Sequence, residues 1–111
     1  MKRSRTIVFH CRFGGPLGWG HVIRSSALAE AAQDFGWKTI LYSSSDFELL
    51  GSETLLAFDE HISVQEQSME SVLRGAEAVF VDEMYWKDED FEEVAHLARA
   101  SDCLLVATDI T

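Results

Sequence analysis

Proline is nearly missing from this sequence: Pro16 is its one occurrence in 111 residues, and 47% of the residues are hydrophobic. Those two facts exclude a disordered or proline-rich segment and call for a packed core. Cysteine is scarce as well. Cys11 and Cys103 sit inside the apolar runs "TIVFHC" and "DCLLVA", and no C-x-x-C or cysteine/histidine cluster occurs. A disulfide framework or zinc site is therefore not expected, and both thiols are expected reduced and buried. Basic residues are the third shortage, with 9 Lys and Arg against 19 Asp and Glu. A net charge of −10 argues against a nucleic-acid backbone as partner. No apolar run is long enough for a membrane span, and the run behind "MKRSR" is broken by His10 and Arg12, which does not suit a secretory signal. The expectation is one cytoplasmic domain over residues 1–111.

Short, apolar, β-branched or aromatic runs recur along the chain. The expected strands are Thr6–Cys11, Lys38–Ser43, His61–Gln65, Ala78–Asp82 and Cys103–Thr108. They are apolar throughout rather than alternating, which suits a sheet covered on both faces. Helices are expected at His21–Phe35, more weakly near Phe47–Ala57, then at Gln67–Arg74 and Asp88–Ala100. In the first helix, Leu28, Ala31, Ala32 and Phe35 project as a buried stripe, with Ser26, Glu30, Gln33 and Asp34 opposite. Carried back one turn and more, the stripe reaches Arg24 and His21. The acidic segment "DEMYWKDEDFEE" reads as a solvated helix start, where carboxylates suit the helix dipole.

Strand and helix alternating through right-handed crossovers predict an α/β fold, a Rossmann-like doubly wound parallel sheet of about five strands in the order 3-2-1-4-5. Ligands of such sheets bind beyond the strand C-termini at the switch point, here between the first and fourth strands. The two loops there are "RFGGPLGWGH" and "DEMYWKD". The first is rich in glycine and leads into a helix N-terminus, a natural receptor for phosphate or carboxylate. It matches neither G-x-G-x-x-G nor G-x-x-x-x-G-K-[ST], so a dinucleotide or nucleoside triphosphate site is not expected.

His21, beside that loop, has the chemistry of a general base, or else caps the turn and packs against Trp19. Arg24, one turn on, either grips an anion or pairs with Asp82, and pairing is the expected role. Asp82 ends the fourth strand and Tyr85 follows it, both facing the same crevice, while Asp109 holds the equivalent place after the fifth strand. His10, His61 and Ser43–Ser45 have no partner pattern and read as structural. Trp19 and Trp86 read as packing residues or as an apolar wall for a ring.

The segment "GWGHVIRSSALAEAAQDFGWKTIL" resembles the G-x-G-H-x-x-R-x-x-x-L-A opening of the nucleotide-sugar hydrolases of pseudaminic acid biosynthesis and the related spore-coat polysaccharide proteins. It is more distantly similar to the acceptor domains of GT-B glycosyltransferases. "VFVDEMYWKDEDFEEV" resembles the family's strand-Asp-x-Tyr segment, and "LLVATDIT" its strand ending in paired aspartates, with Thr108 in the first aspartate's place. The resemblance implies the N-terminal half of a GT-B-like enzyme that releases UDP from a UDP-linked amino sugar. In that family the loop histidine, here His21, activates water; Gly18 and Gly20 shape the site, and Asp82 and Tyr85 line the sugar pocket. No metal and no cofactor are expected, and the resemblance implies a second Rossmann-like domain, outside these residues, that holds the nucleotide. A glycosyltransferase acceptor domain and a non-catalytic sugar-nucleotide-binding module are the alternatives. The open edge of a five-stranded sheet adds an expectation of self-association.

Overall fold

The computed structural model describes residues 5–83 and 86–108. Five parallel strands form one sheet in the order β3-β2-β1-β4-β5: β1 Thr6–His10, β2 Lys38–Ser43, β3 Glu60–Ser63, β4 Ala78–Asp82 and β5 Leu104–Thr108. Helices α1 Gly20–Asp34, α2 Ser52–Leu56, α3 Met69–Arg74 and α4 Asp88–Ala100 connect them. This is the expected doubly wound α/β topology, with the order reversing between β1 and β4.

The core lies in two layers because successive strand residues point to opposite faces. On one face Val8, Val79 and Val81 pack with Val72 and Leu73 of α3 and Val94 and Ala98 of α4. On the other, Phe9 and Leu41 pack with Val22 and Ala29 of α1 and with Phe58. Phe9 meets Phe58 edge to face at 5.7 Å between centroids and Phe80 at 5.8 Å. Each large side chain buried in this way contributes about 1.5–3 kcal/mol. Both cysteines are buried thiols, as expected.

Local signals account for several boundaries. The Asp90 carboxylate accepts from the Lys87 N–H at 2.9 Å, which sets the start of α4. Ser68 caps α3 by accepting from the Ser71 N–H at 3.2 Å. The expected weak helix at Phe47–Ala57 divides into a 3-10 turn at Phe47–Leu49 and the short α2, and β3 begins at Glu60 rather than His61.

The face of α1 differs from the expected one. Its buried residues are His21, Val22, Ser25 and Ala29, whereas Leu28 and Ala31 are exposed and Phe35 is 85% exposed. Ser26 and Gln33 are half-buried, and Gln33 donates to Thr39 Oγ1 at 2.8 Å and to the Ala57 carbonyl at 3.0 Å. Alanines on every side of the helix leave little hydrophobic contrast from which to read a face. Small residues decide the outcome, since Ser25 and Ala29 let the helix backbone lie close on the sheet where Leu28 and Phe35 would not fit.

Candidate functional site

The strand C-termini at the β1/β4 switch point carry the candidate site. After Thr6, β1 runs apolar until His10, and β4 until Asp82, so polar side chains of the two central strands meet at one end of the sheet. Between them the glycine loop brings in α1. Gly14 and Gly18 have φ of 87° and 73°, the left-handed region that favours glycine, and the Gly14 N–H donates to the Gly18 carbonyl at 2.8 Å. The closed loop turns the chain so that α1 starts above the end of β4. Trp19, at the N-cap of α1, makes no side-chain capping bond.

Asp82 is 1% exposed and is held from two directions. His21 Nδ1 donates to its Oδ1 at 2.5 Å, while Arg24 donates from Nη2 to Oδ1 at 2.5 Å and from Nε to Oδ2 at 2.9 Å. The arginine fork therefore binds the carboxylate bidentately and balances its charge. Arg24 Nη2 also lies 3.4 Å from His21 Nδ1, so two donors converge on one oxygen. In the neutral ring that donates from Nδ1, Nε2 bears the lone pair and is the nitrogen able to take a proton.

A second cluster of the same composition lies beside the first. Glu83, 2% exposed, accepts from His10 Nδ1 at 2.7 Å and from Arg12 Nε at 2.8 Å. The His10 ring packs against Trp86 at 4.9 Å and Tyr42 at 5.4 Å. Asp82 and Glu83 are neighbours in sequence, so strand alternation sends them to opposite faces of the sheet. Residues 10 and 12 alternate in phase and share the face of Glu83, whereas His21 and Arg24 descend from α1 on the other.

Arg24 thus pairs with Asp82, as expected. His21, Asp82 and Arg24 come together with Gly18 and Gly20 beside them, while Tyr85 and Asp109 lie outside the described residues. His10 reads as structural in the sequence, and its buried place in the ion-paired cluster with Glu83 and Arg12 is compatible with that role. The endings "HCR" of β1 and "DE" of β4 become a signal only once the two strands are paired. Trp19, an exposed side chain, stacks on Phe13 at 6.1 Å, and Trp86 packs on Phe91 at 5.0 Å.

Beneath the carboxylates, burial pushes the Cys11 thiol up to about 12, with the Glu83 and Asp82 charges adding to the effect and the Ser25 hydroxyl opposing it. Such a thiol is protonated and unreactive. A polar hollow of about 260 Å³ lies beyond β2 and β3, lined by Ser44, Ser45, Asp46, Phe47, Ser63 and Gln65. It is tied to the glycine loop by the Phe13 N–H, which donates to Ser45 Oγ at 3.0 Å. Among the described residues no group of three or more His, Cys, Asp and Glu side chains is arranged to hold a metal ion, and no helix is long and apolar enough to cross a membrane.

No protein-family model matches the sequence, and no curated protein matches it at a significant level. Among solved structures, the C-terminal domain of a hydrogenase from Pyrococcus furiosus is similar, with a TM-score of 0.61 and 12% identity over 94% of this chain and 89% of that one. At that identity the likeness concerns the fold alone, and it agrees with a five-stranded, all-parallel, doubly wound sheet in the order 3-2-1-4-5.

Proposed function

We propose that this chain is the histidine-bearing half of a nucleotide-sugar hydrolase that releases UDP from a UDP-linked amino sugar. One observation carries the reading: His21 is buried at the switch point with Nδ1 on Asp82, which leaves Nε2 as its basic nitrogen. In the reaction, Nε2 takes a proton from water as the water oxygen attacks the anomeric carbon. The bond from that carbon to the UDP oxygen breaks, its electron pair leaves with UDP, and His21 returns its proton to solvent. Asp82 fixes the ring's orientation. Arg24 pairs with the same carboxylate and compensates its charge, and Asp82 acts as an orienting group. The start of α1, where Trp19 supplies no side-chain cap, suits the anionic leaving group.

The same charge compensation favours a second reading, a sugar-nucleotide-binding module without turnover. An amide NMR titration of the chain and its His21→Ala variant with UDP and UDP-N-acetylglucosamine, followed by product analysis, separates the two. Shifts at Gly14–Arg24 and Asp82–Glu83, with free sugar and UDP formed by the wild type and not by the variant, are expected. Shifts without turnover, with the chain alone and with any partner domain added, would leave the binding module. No shifts under either condition would sink both.

A further inference from the structure

The two edges of the sheet are unlike. β3 is four residues long, and its Glu60 is ion-paired to Lys38 at 2.9 Å. β5, "LLVAT", has no charge, proline or bulge to guard its outer edge, and such an edge is a template for another strand. On the α1 side of β5, Leu104 is 65% and Val106 40% exposed. On the α4 side, open grooves of about 480 and 380 Å³ run between β5 and the outer flank of α4 and share Ala95 and Leu105.

That flank of α4 has a definite charge order. Asp88, Glu92, Ala95 and Arg99 follow one another at spacings of four, three and four, which is one helical stripe, and all four line the grooves. The stripe is negative at its N-terminal end, small in the middle and carries Arg99 at its C-terminal end, where Glu77 and Asp102 line the same groove. Rotation by half a turn about an axis through its middle sets each end against its opposite.

We infer that β5 and α4 form an isologous interface with a second copy of this chain: β5 pairs antiparallel with its counterpart about Val106, and α4 crosses its counterpart at Ala95. The single sheet becomes one of ten strands. Val106 faces Val106 of the other copy, with Leu104 on either side, and Leu105 meets Ala107 on the α4 side. Ala95, alongside Leu105 in both grooves, lets the two helices approach to an ordinary packing distance of roughly 8–10 Å. Glu92 of each copy then reaches Arg99 of the other. A two-fold contact requires this kind of self-complementarity.

Sedimentation equilibrium across micromolar to millimolar concentration tests the interface, with far-UV circular dichroism confirming that each variant is folded. The wild type is expected to dimerise, and Val106→Lys, a change on an exposed side chain, to be monomeric throughout. Glu92→Arg and Arg99→Glu, each placing like charges together, are expected to raise the dimer dissociation constant about tenfold, and the double reversal to restore it. A wild type that stays monomeric, a Val106→Lys variant that dimerises normally, or a double reversal no better than the single ones would overturn the inference.

Discussion

Asp82 and Glu83 follow one another at the end of β4, and their buried carboxylates turn to opposite faces of the sheet, each to hold one histidine and one arginine. Two acids side by side in a low-dielectric environment would repel each other and cost stability if unpaired. Each is compensated within its own cluster. Among the described residues the two acids and two arginines of these clusters balance one to one, in a chain whose net charge is −10. That balance lets two carboxylates stay buried at the place where a doubly wound fold binds its ligand.

Removing either charge should therefore cost stability. Asp82→Asn keeps the shape but leaves the Arg24 guanidinium without the carboxylate it grips, and Glu83→Gln does the same to Arg12. A broken pair with both partners buried costs about 3–5 kcal/mol, but Arg24 and Arg12 are partly open to solvent. We expect about 2 kcal/mol for each variant, less than the full buried-pair cost because of that exposure. Urea unfolding followed by circular dichroism checks this, through a lowered midpoint at an unchanged slope. A change within about 0.5 kcal/mol, the size of an ordinary surface substitution, would mean that the clusters contribute nothing net.

The thiols contribute to the behaviour in alkali, alongside Tyr42, which burial also raises. Burial raises Cys11 from 9.0 to about 12 and Cys103 from 9.0 to about 11, with the Glu77 charge adding to the latter. In the folded chain both keep their protons where the unfolded chain has lost them. Their contribution is therefore complete below about pH 9 and is lost as the pH climbs through the folded values. Over that window the Cys11 share falls by about 1.4 kcal/mol per pH unit. Stability measured against pH should decline above pH 9, and Cys11→Ala should make the decline shallower. At pH 8 neither thiol of the folded chain should react with a soluble alkylating reagent, and both should react in denaturant.

Most of the fold was legible because the central strands are covered on both faces and hence apolar without interruption. Thr6–His10, Lys38–Ser43 and Ala78–Asp82 stand out as runs, and the glycine loop marks where α1 begins. His21, Arg24 and Asp82 could be placed by adjacency to that loop and to the switch point. The Glu83 cluster could not, since its three members come from the ends of two strands and become neighbours only when β1 pairs with β4. A lone histidine ending a strand carries no sign of that partner. The face of α1 was misread for a different reason: with alanine on all sides, the choice falls to how closely the helix can lie on the sheet, a property of the assembled layers.

The corrected face of α1 gives a sharp contrast between two positions. Phe35 is exposed at the helix end, so Phe35→Ser should change stability by less than about 0.5 kcal/mol. Ala29 is fully buried against the sheet, and Ala29→Leu should cost about 1–3 kcal/mol by overpacking. The opposite ranking in thermal or urea unfolding would restore the stripe of Leu28, Ala31, Ala32 and Phe35 as the buried one.

The two glycines that flank Trp19 should part company under substitution. Gly18 has φ of 73° with nothing within 4 Å of the place a Cβ would take, so Gly18→Ala suffers backbone strain alone, about 1–2 kcal/mol. Gly20 also has open space around it, but its φ is not in the left-handed region and it is the first residue of α1. Gly20→Ala should leave stability unchanged or raise it by up to about 1 kcal/mol through helix propensity. Ligand titration of the same two variants then isolates function from folding. A Gly20→Ala chain that is as stable as the wild type yet has lost its response to UDP would mean that the glycine is there for a ligand's approach to the start of α1. An unaltered response would confine the glycine requirement to the loop's own turn at Gly14 and Gly18.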